Sequence, residues 1–208
     1  EVRTMSIETM TKLATYTVST VGGEASVEFT NIPQTYTDLV LKACTRSEYN
    51  STLDNLLYQM NSGTSGHSQR LVYGTGSAAG SGTATSNGFE DFTSGATTTA
   101  NTFSNTEFYI SNYTSSSYKS ITEDNVAETN ATAVNSGLWA CLWSNTAAIT
   151  SIKVVSKNSS NISRYSTFTL YGVRNAAKTA GNSIKATGGN ISFDGTYVVH
   201  TFVSSGTF

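Results

Sequence analysis

Charged residues are scarce in this chain, and cysteine, histidine and proline are nearly absent. Of 208 residues only 12% are Asp, Glu, Lys or Arg, and the net charge is −2. An average domain carries about a quarter charged residues. Because no basic block is present, there is no electrostatic footprint for nucleic acid, and we expect no nucleic-acid partner. No apolar run approaches the roughly 20 residues of a membrane helix, so we expect no membrane insertion.

The two cysteines, Cys44 and Cys141, are too few for a disulfide scaffold. Each lies in an apolar strand pattern, which predicts a buried free thiol, with a disulfide or shared metal as the alternative. The histidines, His67 and His200, are far apart in sequence, and no close Cys/His spacing occurs. We therefore predict no metal site and no cofactor. His67 is expected to be solvated in a Gly/Ser loop, and His200 to be packed within a strand.

Serine, threonine, asparagine and glycine replace the missing charges, and they favour strands and turns over helices. Alternating apolar residues mark about ten or eleven short strands separated by turn signals. This pattern predicts an all-β protein, a jelly-roll-like antiparallel β-sandwich with a small C-terminal β-hairpin. The predicted division is a sandwich domain over residues 1–174, a linker over 175–188 and the hairpin module over 189–208.

Several local predictions follow from this alternation. The strands over 11–20 and 25–29 are expected to pair as a hairpin around Gly22-Gly23. In the first of them Ala14, Tyr16 and Val18 share one face. Residues 75–88 are small and polar and predict an exposed loop. Residues 119–127 predict a strand with a bulge or a bend. Glu123-Asp124, together with Glu128, is expected to form a solvated strand edge.

The segment 136–156 predicts two long strands joined by a polar turn, which would form the central hairpin of the core. Both faces of its first strand are apolar, as expected for a strand with protein on both sides. An isolated C-terminal hairpin is marginal in water and also needs a partner. We therefore predict a homo-oligomer, most simply a trimer. The predicted interface residues are Trp139, Trp143, Tyr197 and Phe202.

Four segments in this order resemble a family of tailed-phage virion proteins that is abundant among marine phages. They are FTNIPQTYTDLV at 29–40, LVYGTG at 71–76, LWSNTAAITSI at 142–152 and STFTLYGV at 166–173. The resemblance covers residues 13–174. Residues 188–208 resemble a second module of phage tail proteins, which usually continues beyond the point where this chain stops, so a cropped or processed C-terminus is expected. The resemblance implies a place in a virion and supplies no catalytic residues.

Catalytic patterns are weak. Neither histidine is accompanied by a nucleophile-elbow pattern. Carboxylates that could serve a depolymerase, an activity some phage tail proteins have, are Glu90, Asp91, Glu107 and Asp124. Nothing in their spacing favours the separation that glycoside hydrolysis requires. We therefore predict a protein that is not an enzyme.

The resulting hypothesis is a virion structural protein on the particle surface, a tail-fibre or appendage component acting in assembly and in attachment to a host-surface glycan. Its partners would be copies of itself, other virion proteins and the glycan. The alternatives are a capsid decoration protein that braces the shell, and a polysaccharide depolymerase. Aromatic side chains at or near predicted strand ends could stack on sugar rings. These candidate binding residues are Tyr49, Phe89, Phe92 and Tyr113.

Overall fold

The structure is a computed structural model that describes residues 9–129, 135–174, 190–193 and 198–201. These residues form sixteen strands and no helix, and all the pairings between strands are antiparallel, which confirms the predicted all-β class. The strands are β1 Met10–Thr17, β2 Ser26–Phe29, β3 Asp38–Thr45, β4 Leu53–Asp54, β5 Leu56–Met60, β6 His67–Gly74, β7 Ala79–Ser86, β8 Phe89–Glu90, β9 Thr93–Ser94, β10 Ser104–Ile110, β11 Lys119–Ala127, β12 Asn135–Trp143, β13 Ile152–Ser156, β14 Thr167–Val173, β15 Asn190–Phe193 and β16 Val198–Thr201.

The chain divides into two units. One is Met10–Arg174, and the other comprises Glu1–Thr9 together with Asn175–Phe208. In the second unit β15 and β16 pair antiparallel from Asn190↔Thr201 to Phe193↔Val198, so the predicted C-terminal hairpin is present. The predicted linker 175–188 lies outside the described residues.

Eight strands of the larger unit have the order of a jelly roll. In one sheet β1 pairs with β14, β14 with β3, and β3 with β10. In the other sheet β2 pairs with β13, β13 with β5, and β5 with β8. These eight strands therefore pair from the ends of the domain inwards: β1 with β14, β2 with β13, β3 with β10 and β5 with β8. Successive pairs in this series lie alternately in one sheet and in the other. This arrangement is the double-sheet jelly roll.

Two inserted strand pairs widen only one of the two sheets. Strands β6 and β7 lie between β5 and β8 in the chain, and β11 and β12 lie between β10 and β13. All four join the first sheet, which has eight strands in the order β1-β14-β3-β10-β11-β12-β6-β7. We call it the large sheet, and the face turned away from the four-stranded sheet is its outer face. The small pair β4 and β9 forms a separate two-stranded sheet.

The core lies between the two sheets, where alternate residues of each strand point inward. On the large sheet, Phe108 and Ile110 of β10 are buried, with Leu41 of β3 beside them. From the four-stranded sheet, Tyr58 and Val154 are completely covered. The rings of Tyr58 and Phe108 meet at a centroid distance of 4.5 Å, which joins the two sheets directly.

Two predicted hairpins are wrong, because the strands concerned lie in different sheets. β1 pairs with β14 while β2 pairs with β13. β12 pairs with β11 and β6, while β13 pairs with β2 and β5. The segment between β12 and β13 crosses from one sheet to the other. It is held by backbone hydrogen bonds from Ser144 N–H to the Gly66 carbonyl, 2.8 Å, and from Ile149 N–H to the Tyr113 carbonyl, 3.0 Å.

The predicted loop over 75–88 is also wrong in its main part, since it contains the eight-residue strand β7. Packing against β6 explains why β7 has glycine at two positions. A Cβ atom on Gly80 would come within 2.7 Å of the Tyr73 ring, and one on Gly82 within 2.7 Å of the Leu71 side chain. The glycines therefore let large side chains of β6 lie across the neighbouring strand.

Strand β11 is regular, so the predicted bulge is absent. Its nine residues alternate strictly between buried and exposed, beginning with buried Lys119 and ending with buried Ala127. Asp124 is exposed as predicted, but Glu123 is buried in the core, so the predicted solvated pair is wrong for Glu123.

The cysteines differ in their surroundings. Both are free thiols, and Cys141 is buried as predicted. Cys44 is exposed, so that prediction is wrong. On β3 the outward positions are those of Lys42 and Cys44, while Ala43 and Thr45 point inward.

Candidate functional site

An open groove of about 740 Å³ runs across β12, β6 and β7 on the outer face of the large sheet. Paired residues lie side by side on neighbouring strands, so the registers place its lining side chains in two rows. The rows are Leu138–Val72–Ser81 and Ala140–Arg70–Thr83. Because the sheet is widened only on this side, the groove belongs to the inserted strands and not to the jelly roll itself.

The groove is unusually apolar for an outer face. Leu138 is 59% exposed and its cross-strand neighbour Val72 is 58% exposed, with Leu142 of the same strand at 37%. Scattered exposed apolar residues are ordinary, but adjacent ones form a surface that suits contact with another protein. Of the lining residues only Arg70 is charged, and its Nη1 donates to the Gln69 carbonyl at 2.9 Å.

A second cleft, of about 360 Å³, opens between the edge strands β1 and β2 of the two sheets. Its lining includes the buried Phe29, Ile32 and Leu170, together with Leu13, which packs against the core. The β1 register shifts between Lys12 and Ala14. As a result Leu13 packs inward, and the cleft has an apolar floor.

The rim of this edge cleft is polar and carries an aromatic ring. The Tyr16 side chain is 37% exposed, and its hydroxyl donates a hydrogen bond to the Glu24 carboxylate. This hydrogen bond raises the pKa of Tyr16 and lowers the pKa of Glu24. Glu28 accepts a hydrogen bond of 2.6 Å from the Ser62 hydroxyl. Asn31 stands beside them with a φ of 54°. A ring, a carboxylate and an amide above an apolar floor can hold a small ligand with both hydroxyl groups and an apolar face.

The predicted aromatic binding residues do not form one site. Phe89 and Tyr113 are completely buried, so the prediction is wrong for both. Phe89 packs edge-on against His67 at 4.8 Å, and the Tyr113 hydroxyl donates to the Pro33 carbonyl. Both lie at strand ends, as the sequence indicated, but they close the ends of the core.

Tyr49 and Phe92 are half-buried and remain candidates, although neither lines the groove or the edge cleft. The Tyr49 carbonyl accepts hydrogen bonds from the backbone N–H groups of Ser51 and Ala96. Phe92 packs between the rings of Trp139, at 5.3 Å, and Tyr73, at 6.3 Å.

The predicted interface residues Trp139 and Trp143 are buried inside the sandwich, so the prediction that they contact a second subunit is wrong. The exposed apolar face of β12 is the opposite one, which carries Leu138 and Leu142. The sequence predicts protein on both faces of this strand, but among the described residues only the tryptophan face is covered, by the four-stranded sheet and its loops. The other predicted interface residues, Tyr197 and Phe202, lie outside the described residues.

A polar cluster lies in the core behind the groove, and Asp91 is its most completely bonded member. Its carboxylate accepts hydrogen bonds from the Leu56 N–H at 3.0 Å, the Tyr58 hydroxyl at 2.9 Å and the Thr106 hydroxyl at 2.8 Å. Burial raises the pKa of Asp91 to about 6, because removal from water disfavours the charged form.

Glu123 belongs to the same cluster. Its Oε2 lies 3.3 Å from Gln69 Nε2 and 3.7 Å from Cys141 Sγ, both of which donate to it, while its Oε1 has no hydrogen-bond partner. Burial, and then the charge of Asp91, raise the pKa of Glu123 well above its ordinary value. Burial likewise raises the pKa of the Cys141 thiol. These groups are enclosed by the two sheets, so they serve the interior and offer no nucleophile or base to a substrate.

His67 is buried on β6, and the prediction that it is solvated is wrong. Its Nε2 accepts a hydrogen bond from the Met60 N–H at 3.4 Å, and its ring lies 6.4 Å from that of Trp143. Burial lowers the pKa of His67 to about 4, so the imidazole is neutral at physiological pH.

Two cations organise loops through backbone carbonyls. The ammonium of buried Lys119 donates to four carbonyl oxygens and lies 5.6 Å from the Trp143 ring centroid. The acceptors are Ser115 at 2.7 Å, Ser117 at 2.8 Å, Ala147 at 2.7 Å and Asn145 at 3.4 Å. Lys119 therefore fastens the loop before β11 to the loop after β12, and it is not a ligand-binding group.

Arg46 does the same for the loop that follows β9. Its guanidinium donates to the carbonyl oxygens of four residues in the segment 96–102. The planar fork of an arginine suits this task because its N–H groups point in fixed directions. The loop after β9 is thus held from within by one side chain.

The four candidate carboxylates of a depolymerase are distributed over different surroundings. Glu107 and Asp124 are cross-strand neighbours on the outer face, and Glu107 forms an ion pair of 2.7 Å with Lys42. Glu90 is paired with Lys157 at 2.7 Å, and Asp91 is in the core. None of the four lines the groove or the edge cleft.

The fold and these surfaces define the class of the chain, an antiparallel β-sandwich with jelly-roll strand order and one widened sheet. Within the described residues there is no group of three or more His, Cys, Asp or Glu side chains that could hold a metal ion. The same residues include no helix long and apolar enough to cross a membrane. Searches of protein-family models, curated protein sequences and solved structures find no match to this chain.

Proposed function

We propose that this chain is a structural protein of a tailed-phage virion, a tail-fibre or appendage component that acts in assembly and in attachment to a host-surface glycan. The observation that carries the assembly role is the exposed apolar groove around Val72 and Leu138. The sequence resemblance to phage virion proteins supports the location. Jelly rolls serve in viral shells and in lectins, so the fold is compatible with both roles without deciding between them.

The groove supports assembly because covering its apolar surface with another protein would give a favourable free energy of association. Fully burying a valine or leucine side chain contributes about 1.5–3 kcal/mol. Val72 and Leu138 are each somewhat more than half exposed, so covering both contributes about 2–3 kcal/mol. Self-association remains part of the proposal, with this outer face in place of the buried tryptophans.

The edge cleft supports glycan attachment. Tyr16 offers a ring whose hydroxyl is already held by Glu24, and Glu28 and Asn31 can hydrogen-bond sugar hydroxyls. Sugar rings have apolar faces that stack on aromatic rings, while their hydroxyls need polar partners.

The experiment compares three variants in infectious particles. Leu138→Asp places a charge in the groove, and we expect particles that lack the protein or fail to assemble. Thr122→Asp, at an exposed position on the same face outside the groove, is the matched control. Tyr16→Ala should leave particles intact and reduce adsorption to cells.

Normal particles and normal adsorption for both Leu138→Asp and Tyr16→Ala would contradict the proposed function. Gold-labelled antibody against the chain fixes its position on the particle. Labelling at the tail or its fibres supports the proposal, and labelling over the shell would favour the alternative of a capsid decoration protein. Degradation of host polysaccharide by the purified chain would favour the depolymerase.

A further inference from the structure

The sandwich has four sheet edges, and three of them carry features that prevent another strand from pairing. β1 has a register shift between Lys12 and Ala14, and Lys12 is exposed. β2 is four residues long and carries Glu28. β8 has only two residues. Bulges, charged residues and short length are the common means by which natural sheets block unwanted edge pairing.

The fourth edge, β7, has none of these features. It runs for eight residues, and its register with β6 is unbroken from His67↔Ser86 to Gly74↔Ala79. It contains no charged residue and no proline. Among the described strands it pairs only with β6. Within the part of the chain that the structure describes, its outer edge therefore presents a row of backbone N–H and C=O groups to an incoming strand.

The side chains of β7 allow a close approach by an identical strand. They are Ala, Gly, Ser and Thr only, with nothing larger than threonine. Ser81, Thr83 and Thr85 point to the outer face, and Gly80 and Gly82 lie on the inner face. An identical strand brings neither bulk nor like charge, so β7 is complementary to itself.

We propose that two copies of this chain pair through antiparallel β7 strands and form a twofold-symmetric dimer with one continuous sixteen-stranded sheet. A twofold axis perpendicular to the sheet keeps both outer faces on the same side. Residues on the same face must then be opposite each other. The pairing is therefore centred on Thr83 facing Thr83 of the partner subunit, or on Gly82 facing Gly82 of the partner subunit.

Electrostatics permit this arrangement. The nearest charge on the outer face is Arg70, which pairs with Thr83 one strand inward. With strands about 4.8 Å apart, the two Arg70 side chains of a Thr83-centred dimer would be separated by about 14 Å. This exceeds the Debye length of about 10 Å at 0.1 M salt, so their repulsion is screened. The dimer also places the two apolar grooves, each lined by β7, on either side of the junction, which gives a larger continuous surface.

This inference does not depend on a role in a virion, and the purified chain of 208 residues tests it. We expect sedimentation equilibrium to show a wild-type dimer at micromolar concentration. Thr83→Lys and Thr83→Glu should each weaken dimerisation at least tenfold, because like charges then face each other near the axis. An equimolar mixture of the two variants should restore the dimer. Thr15→Lys, at an exposed threonine on the other edge of the large sheet, should leave dimerisation unchanged.

Cross-linking provides a second readout. In a Cys44→Ser background, Thr83→Cys should form an intermolecular disulfide on mild oxidation if Thr83 is at the axis, and the double variant Ser81→Cys, Thr83→Cys covers the Gly82-centred register. A wild-type monomer, an undisturbed dimer of Thr83→Lys, or failure of the mixture to recover would each overturn the proposal. Circular dichroism confirms that each variant is folded.

Discussion

Replacing Asp91 by Asn should change how the stability of the protein depends on pH. The carboxyl is buried among the Leu56 N–H and the hydroxyls of Tyr58 and Thr106. Asparagine keeps the size and an acceptor oxygen, but it does not titrate. The substitution therefore removes one proton-binding equilibrium from a core that otherwise keeps nearly the same shape.

The magnitude follows from the difference between the two states. The pKa of Asp91 is about 6 in the folded protein and 3.8 in its ordinary, unfolded surroundings. Between those values the folded state binds more protons at Asp91, so the contribution of Asp91 to stability is greatest below pH 3.8 and is lost as the pH rises through about 6. One pH unit corresponds to about 1.36 kcal/mol, so wild type loses about 3 kcal/mol that the Asn variant does not lose.

Two other buried groups, Glu123 and His67, also have shifted pKa values, so the experiment must separate their effects from that of Asp91. Burial also raises the pKa of Glu123, which acts in the same direction as Asp91. His67 acts in the opposite direction, because its pKa is lowered to about 4 and stability falls as the pH drops from 6.5 towards 4. The wild-type profile mixes these effects, so the informative quantity is the difference between wild type and Asp91→Asn.

Urea unfolding at 25 °C, at pH 4, 5, 6 and 7, measures this difference. We expect the stability of wild type relative to Asp91→Asn to fall by about 2 kcal/mol between pH 4 and pH 7, because at pH 4 the unfolded state has already lost more than half of its Asp91 proton. Thr122→Asn, on the exposed face of β11, changes no titrating group and should show a constant difference across the same range. A constant difference for Asp91→Asn would refute the reasoning, since the carboxyl would then titrate alike in both states.

Three further predictions concern Lys119, Arg46 and the two cysteines. Lys119→Met should lower the free energy of unfolding by about 3 kcal/mol or more, because four carbonyl oxygens lose a charged donor. Lys42→Met, which removes an exposed ion pair, should lower it by less than about 1 kcal/mol in the same urea assay. Arg46→Lys should accelerate hydrogen exchange in the loop after β9, because an ammonium cannot reach the same spread of carbonyls. An aromatic disulfide reagent should label Cys44 rapidly and Cys141 only after unfolding, and equal rates would contradict the assigned burial.

Alternating apolar residues are a good guide to the strands of this chain. β3, β10 and β14 all have this pattern, and their inward residues, such as Phe108 and Phe168, are buried. Strand β7 was missed because it has no apolar pattern of its own. The side chains of Tyr73 and Leu71 on β6 lie over its glycines, so the residues of β7 need not be apolar. Pairing was missed for another reason: adjacent strands were assumed to pair, whereas a jelly roll pairs strands that are distant in sequence.

The candidate site was harder to predict than the fold. Aromatic residues at strand ends indicate either a binding surface or the closure of a core, and for Phe89 and Tyr113 the second is correct. The predicted common face of Ala14 and Tyr16 agrees with the register, which pairs them with the buried Leu170 and Phe168, but nothing in the sequence shows that Tyr16 lies at a sheet edge and is 37% exposed. Glu123 was placed in solvent because a carboxylate is rarely buried, and only its hydrogen-bonded neighbours explain its position.

The pairing of β1 with β14 has a consequence for how the chain reaches its native state. Met10 pairs with Val173, so the first strand of the sandwich is synthesised long before its partner, the last strand of the sandwich. Every pair of the jelly roll closes a long loop, and closure of such loops makes folding slow. The widening strands β11 and β12 are close in sequence and pair along nine residues from Lys119↔Trp143 to Ala127↔Asn135. This local ribbon can form early, and the sandwich can then be completed around it once the final strand has been synthesised.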